Sequence, residues 1–377
     1  MALGAQLLRE WKRSLECYHL CMVSKAWCLS RTAGSKVVEF LCDRKALLVG
    51  RRDGTIIYMT RRLDAILGSV TMHNGGGVWR IATHKCADYV AVAMGNGELR
   101  LLDFRTGAPI VAASFMPLQG RRVVSMAFLP DGVSLMVGGS DGSIGCVFPF
   151  RGHSTSPICR LCDSALWDMM ALGDSYELVA CAGHGWLHRF RFYDGEPQEV
   201  ESVLLSKVGE EVWCLASVSI TGEIAMGCDR QIVFYSVEAH AITRRIMLPG
   251  REAAVWTLSY DCSFHRLFVG RANGVQSLIC ELHGEGLYEN DDYYAATVAC
   301  SLYLDDVKSF VYGDNRGSVY AVGDRRPAKK GSCAISSVCP ENVHIPWECC
   351  LWQEGNDAVR VSQLYEIWCL CEVTAQE

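Results

Sequence analysis

Leu135-Met136-Val137-Gly138-Gly139-Ser140-Asp141-Gly142-Ser143-Ile144 is an apolar run, a tight polar turn and the start of a second apolar run. The turn, Gly139-Ser140-Asp141-Gly142, has six relatives along the chain. They are Gly50-Arg51-Arg52-Asp53-Gly54, Gly95-Asn96-Gly97, Gly183-His184-Gly185, Gly227-Cys228-Asp229-Arg230, Gly270-Arg271-Ala272-Asn273-Gly274 and Gly313-Asp314-Asn315-Arg316-Gly317. Their last residues are separated by 43, 45, 43, 45, 44 and 43 positions. A near-constant period of this length marks one supersecondary unit used repeatedly.

Working outward from the turn, each unit has the same parts. An apolar segment opens it, as in Val78-Trp79-Arg80-Ile81-Ala82 or Val212-Trp213-Cys214-Leu215-Ala216. A polar turn follows, clearest in Pro130-Asp131-Gly132 and Thr221-Gly222-Glu223. A nearly continuous apolar run comes next, such as Val90-Ala91-Val92-Ala93 or Leu267-Phe268-Val269, and it leads into the recurring turn. A third segment (Thr55-Ile56-Ile57-Tyr58, Gln231-Ile232-Val233-Phe234-Tyr235) and a weaker fourth (Ala65-Ile66-Leu67) close the unit. Four short strands joined by tight turns form an antiparallel sheet. Gly, Asn and Asp suit the turns because they tolerate positive φ. A second strand apolar on both faces is expected where neighbouring sheets cover it. Such sheets arranged radially make a β-propeller, so the expected fold class is all-β.

Composition agrees. Half of the 377 residues are hydrophobic and 21% are charged, which provides a large core and excludes a disordered chain. Lys plus Arg is 36 against 42 Asp plus Glu, a net charge of −6 that argues against a basic nucleic-acid surface. The arginine pairs (Arg51-Arg52, Arg61-Arg62, Arg121-Arg122, Arg244-Arg245, Arg325-Arg326) are scattered and read as turn residues. No apolar run reaches the ~18–20 residues of a membrane span. The N-terminal segment lacks the three-part pattern of a signal peptide. The expectation is an intracellular protein, cytoplasmic or nuclear, with no membrane partner. Its 20 cysteines, many inside apolar runs such as Trp213-Cys214-Leu215, then read as reduced core thiols.

The sequence resembles the WD40-repeat family over essentially its whole length. The best match is Val123-Val124-Ser125-Met126-Ala127-Phe128-Leu129-Pro130-Asp131-Gly132 followed by Gly138 to Ile144, with Leu102-Asp103-Phe104-Arg105-Thr106-Gly107 where the family usually has Trp-Asp. The repeats are divergent: none ends in Trp-Asp, and no Gly-His sits at the usual offset before the first strand. Extending the period forward from Gly317 reaches strand-like segments at Pro346 to Trp352, Ala358 to Ser362 and Tyr365 to Val373. Extending it backward from Gly54 reaches Leu20-Cys21-Met22-Val23 and Ala26-Trp27-Cys28-Leu29. In many rings of this family the N-terminal strand completes the last blade. The expected count is therefore eight blades, the eighth split between the two ends of the chain, with seven as the alternative. Residues 1–16 form a short helix or extension and 17–377 a single propeller.

Trp79, Trp167, Trp213 and Trp256 share one place in the repeat, 18, 18, 17 and 18 positions before their turn residues. The resemblance implies that this place lies near the mouth of the central channel. The four indoles then form a partial aromatic ring on one face, with Arg80 and Asp168 beside it for polar contacts. Trp is enriched at binding hot spots, and the competing use of these rings is to fill space between blades. Cys159-Arg160-Leu161-Cys162 has the spacing of half a zinc site, but no second pair lies at a suitable distance, so no metal is expected. His184, His188 and Cys181 form no ligand set either. The acidic, Tyr-containing stretch from Glu285 to Tyr294 reads as a solvated loop between blades, and Arg325 to Lys330 as a linker. No nucleophile elbow, phosphate loop or dinucleotide fingerprint occurs, so no cofactor is expected.

The function expected from this pattern is a non-enzymatic scaffold or adaptor that binds other proteins or peptide segments within a multiprotein complex. Three alternatives stand beside it. A propeller enzyme would need titratable residues at the channel mouth, where only Asp168 and Glu39 fall at comparable positions. A subunit of an RNA-associated particle would need the arginine turns to converge. A substrate-receptor propeller of a ubiquitin ligase would fit His19 to Trp27, which resembles the second half of an F-box whose first half is absent.

Overall fold

The recurring turn is the hairpin between the second and third strands of each sheet. Where it ends in glycine the backbone is left-handed, with φ of 83° at Gly54, 87° at Gly97, 80° at Gly142 and 88° at Gly274. The Asp or Asn before that glycine accepts a hydrogen bond from the amide two residues on. Thr55 N lies 2.9 Å from Asp53 Oδ1, Glu98 N 2.9 Å from Asn96 Oδ1, Ser143 N 3.1 Å from Asp141 Oδ1 and Val275 N 3.2 Å from Asn273 Oδ1. The side chain thus closes the turn locally, which is why Asx-Gly recurs at one place in the period.

The computed structural model describes residues 17–23, 46–60, 66–84, 89–104, 109–151, 154–173, 176–193, 196–205, 211–218, 221–250, 253–281, 284, 286–290, 297–304, 309–315, 319–323 and 357–361. Their strands group into seven antiparallel sheets, the blades. Blade 1 comprises β1 (Cys17–Val23), β2 (Ala46–Arg51), β3 (Thr55–Thr60) and β4 (Ile66–Thr71). Blade 2 comprises β5 (Val78–Thr83), β6 (Tyr89–Met94), β7 (Leu99–Asp103) and β8 (Ile110–Phe115). Blade 3 comprises β9 (Val123–Phe128), β10 (Leu135–Gly139), β11 (Ser143–Phe148) and two outer pieces, β12 (Ser154–Thr155) and β13 (Cys159–Arg160). Blade 4 comprises β14 (Leu166–Ala171), β15 (Glu177–Ala182), β16 (Trp186–Tyr193) and β17 (Glu196–Leu204). Blade 5 comprises β18 (Val212–Val218), β19 (Glu223–Cys228), β20 (Gln231–Ser236) and β21 (Ala241–Met247). Blade 6 comprises β22 (Val255–Asp261), β23 (Arg266–Arg271), β24 (Gln276–Cys280) and β25 (Gly286–Asn290). Blade 7 comprises β26 (Val298–Leu304), β27 (Ser309–Asp314), β28 (Val319–Gly323) and β29 (Asp357–Val361).

The first strands β1, β5, β9, β14, β18, β22 and β26 touch one another in sequence, and β26 touches β1, so the seven blades close into a ring. The fold is a β-propeller with seven blades among the described residues, not the eight expected. Two insertions explain the difference. Residues 24–45 separate β1 from β2, which moves β1 out of phase with the other first strands. By register β1 is the innermost strand of blade 1, pairing His19 with Gly50 and Val23 with Ala46. It is not an outer strand added to a last blade. At the other end, residues 324–356 separate β28 from β29. β29 pairs Val319 with Val361 and is the outer strand of blade 7, not the middle of an eighth blade. The expected segments at residues 1–16, Ala26 to Leu29, Pro346 to Trp352 and Tyr365 to Val373 lie outside the described residues, as do Glu39 and Arg325 to Lys330. The stretch expected as an acidic loop is in part strand: Tyr288, Glu289 and Asn290 belong to β25 and pair with β24.

The core lies in the seams between blades. Strands β2, β15, β19 and β23 are buried along their whole length, as strands covered on both faces must be. In one seam Leu48 and Ile56 of blade 1 pack with Val78, Ile81 and Val92 of blade 2. In another, Val179 and Leu187 of blade 4 pack with Ile224 and Met226 of blade 5. A small residue in the second strand receives the first apolar residue of the next blade. A Cβ on Gly50 would stand 2.5 Å from Val78 Cγ1, on Gly227 2.6 Å from Val255 Cγ1, and on Gly270 2.4 Å from Val298 Cγ1. These glycines are therefore sockets for the neighbouring blade, a packing reason for the first glycine of the recurring turn.

Candidate functional site at the channel mouth

Every innermost strand carries a bulge at its second residue. Val78 pairs with Met94 and Arg80 with Ala93, leaving Trp79 without a position opposite. The same shift falls at Trp167, Trp213, Trp256 and Ala299. In blade 3 it falls at Val124, and in blade 1 at Tyr18. A bulge twists the strand and re-aims the extra side chain. Because the first residue of each inner strand pairs with the last of the second strand, the bulges stand beside the recurring turns. The four Trp singled out in the sequence therefore share one structural position, on the face that carries those turns.

The structure divides them. Trp167, Trp213 and Trp256, from consecutive blades 4, 5 and 6, form a ladder of rings. Trp167 and Trp213 have centroids 5.0 Å apart with planes tilted by 39°, and Trp213 and Trp256 stack at 5.6 Å and 9°. The central indole is fixed by its N–H, which donates to Asp229 Oδ1 at 2.8 Å, and Asp229 belongs to the recurring turn of the same blade. Trp256 ends the ladder and is 42% exposed, and the next bulge residue is the small Ala299. Trp79 stands apart, beyond Val124 of blade 3, with the Arg122 guanidinium 4.5 Å over its ring.

Arg80 and Asp168 are held by the inner strands. Arg80 reaches across two blades: its Nε donates to Val124 O at 2.8 Å and a terminal nitrogen donates to Trp167 O at 2.7 Å. The same nitrogen is 3.4 Å from Asp168 Oδ1. Asp168 accepts from Met169 N at 3.0 Å and, through Oδ2, from Leu215 N of blade 5 at 3.0 Å. The pair ties the inner strands of blades 2, 3, 4 and 5 together. Sequence reasoning found the residues but not this use of them, because backbone carbonyls and amides leave no trace in residue identity. Farther round, Thr257, Ser259 and Ser301 share hydroxyl hydrogen bonds of 2.7 Å between blades 6 and 7.

Of the scattered arginines, Arg51, Arg121 and Arg244 are engaged with the protein, while Arg61, Arg62, Arg325 and Arg326 lie outside the described residues. Arg51 pairs with Asp53 at 3.1 Å and Arg121 with Asp141 at 3.0 Å, while Arg244 pairs with Glu223 and Glu281. Among the described residues no group of three or more His, Cys, Asp or Glu is placed to hold a metal ion. No helix among them is long and apolar enough to cross a membrane. The nine cysteines whose side chains are described carry free thiols. The sequence matches no protein-family model, and no curated protein aligns with it significantly.

Proposed function

We propose that this propeller is a non-enzymatic scaffold of the WD40 type, and that a segment of a partner protein binds the face bearing the Trp167–Trp213–Trp256 ladder. The observation that carries the reading is the open end of that ladder. Trp256 is 42% exposed at the end of the stack, and among the described residues the next bulge position holds the small Ala299. A flat or apolar partner side chain set there extends the stack and buries area at little entropic cost, because the rings are already fixed. Asp229 and neighbouring turn residues supply the polar edge that orients it.

Five of the nine described thiols are buried, as reduced core cysteines would be, which supports an intracellular protein. The engagement of Arg80 with Asp168 speaks for a structural tie and against a catalytic acid or base at that point. Internal pairing of Arg51, Arg121 and Arg244 favours protein partners over nucleic acid.

The test is quantitative affinity purification of the full chain from cells. Trp256→Ala is expected to deplete its specific partners about tenfold or more, the loss of one buried aromatic anchor, with Trp256→Phe retaining them. Because Trp256 is largely outside the core, the melting transition stays within about 1 kcal/mol of the parent. Equal partner recovery by the parent and by Trp256→Ala defeats the proposal.

A further inference from the structure

Arg122 ends the loop that leads from blade 2 into blade 3, on the face that carries the recurring turns. Its backbone is held from both sides. Its carbonyl accepts from Ser140 N at 3.0 Å, in the turn of blade 3, and the preceding Arg121 N donates to Leu118 O at 3.1 Å. On the other side, a Cβ on Gly97 would stand 2.5 Å from Arg121 O, so glycine is what lets the turn of blade 2 close on this segment. Met116, which is 53% exposed, and the exposed Gln119 and Gly120 border it.

The side chain is placed by Trp79, whose ring centroid lies 4.5 Å from the guanidinium carbon. The other three tryptophans of this register stack on indoles, whereas Trp79 carries a cation on its face. A guanidinium stacked through its plane keeps its N–H groups at the edge, directed away from the ring. Arg122 is exposed, and among the described residues its guanidinium donates no hydrogen bond and has no ion pair. The charged side chains around it are engaged. Arg121 pairs with Asp141 at 3.0 Å. Arg100, on β7, pairs with Glu98 at 2.8 Å and donates to His73 O at 2.9 Å. This part of the face therefore presents one oriented cation with unused donors.

We infer that Arg122 is a docking point for the carboxylate of an Asp or Glu side chain on a partner protein. The inference goes beyond stacking on Trp256 and does not depend on it, because the two points belong to different blades. A guanidinium edge offers two parallel N–H groups that match the two oxygens of one carboxylate. The stack on Trp79 orients the fork in advance, so little ordering accompanies binding. A phosphate dianion fits less well. It calls for a second cation, and the adjacent Arg121 is already neutralised by Asp141, whose own charge repels an added one.

The experiment pans random peptides displayed on phage against the folded full chain at low salt, then measures the selected peptides by fluorescence polarisation. They are expected to share an Asp or Glu. Replacing that residue by its amide is expected to weaken binding to the parent about tenfold and to leave binding to Arg122→Gln unchanged. Arg122→Gln weakens the acidic peptide by a similar factor. Arg122→Lys weakens it several-fold, because lysine keeps the charge but loses the fork and the stack. High salt narrows the gap between the parent and Arg122→Gln. Trp256→Ala separates the two sites: peptides that lose affinity for Trp256→Ala but bind Arg122→Gln as tightly as the parent uphold the aromatic site and overturn this inference. Selection without a shared acidic residue also overturns it, as does an amide replacement that costs as much in Arg122→Gln as in the parent. A phosphoserine that binds more than about tenfold tighter than the acid it replaces overturns the assignment to a carboxylate.

Discussion

At the scale of single residues, the channel is held by contacts that a list of residue types does not reveal. Arg80 is the clearest case, since one guanidinium serves carbonyls of two other blades and the Asp168 carboxylate. Only arginine has the reach and the planar set of donors for this, so lysine is no substitute. Hydrogen bonds to a charged group contribute about 1.5–3 kcal/mol each, reduced here because the side chain is about a quarter exposed. Arg80→Met is therefore expected to lower stability by about 1–3 kcal/mol in urea unfolding. Asp168→Asn should couple with it in a double-mutant cycle, because the two share one network. A cost under about 0.5 kcal/mol for Arg80→Met means the clasp contributes nothing. The four Trp were legible in the sequence as a register because each marks the same bulge. Their division into a ladder of three and a separate Trp79 was not, because it depends on the intervening Val124.

Among the elements, the second strand is the best determined and the outer strand the least. Second strands are apolar runs bounded, in four of the seven blades, by an Asx-Gly turn, and both signals are local. Outer strands face solvent on one edge and carry mixed residues, so Glu285 to Tyr294 read as loop although β25 occupies part of it. The glycine sockets make a direct test of blade packing. Gly270→Ala places a methyl 2.4 Å from Val298 Cγ1 and is expected to cost about 1–3 kcal/mol by overpacking. Gly286→Ala, with nothing within 4 Å of the new Cβ, is expected to cost nothing measurable in the same chemical denaturation. Equal effects at the two sites would remove the packing explanation. The strands of blades 4 and 5 also carry carboxylates held below the usual glutamate range. The Arg189 guanidinium, followed by that of Arg191, lowers Glu177 against the effect of burial. Burial raises Glu201 and Glu223, but hydrogen bonds from His240 and Tyr235, and from Thr243, Thr221 and Arg244, override it. Folded values below unfolded ones mean stability that is complete above the unfolded glutamate range of about 4.3 and is lost as pH falls through the folded values. Urea midpoints are thus expected to drop steadily below about pH 4.5, and Glu177→Gln to make that drop shallower. A parent midpoint that stays level down to about pH 3 contradicts the assignment.

For the whole molecule, the question is how a ring with two long insertions closes. The period of the turn identified a propeller because seven copies keep step. It miscounted the blades because the insertions fall within blades 1 and 7, where no eighth turn exists to reset the phase. Residues 24–45 split the first two strands of blade 1, and 324–356 split the last two of blade 7, so both terminal strands lie where a constant period places something else. The corrected topology gives the two ends unequal roles. β1 is an innermost strand, paired with β2 and in contact with both β26 and β5, so it seals two seams. β29 is an outer strand whose only partner strand among the described residues is β28. Removing residues 1–23 therefore opens the ring and exposes apolar seams on both sides, whereas ending the chain at residue 356 uncovers one sheet edge. The first deletion is expected to abolish a single cooperative unfolding transition and to make the protein susceptible to limited proteolysis within blades 1 and 7. The second should keep the cooperative transition with a lower midpoint. In a ring closed by an eighth blade assembled from both ends, each deletion removes strands of the same closing blade and the two costs are similar. Matched urea melts and proteolysis time courses decide between these outcomes. An N-terminal deletion that unfolds as cooperatively as the C-terminal one would refute the placement of β1 at the channel.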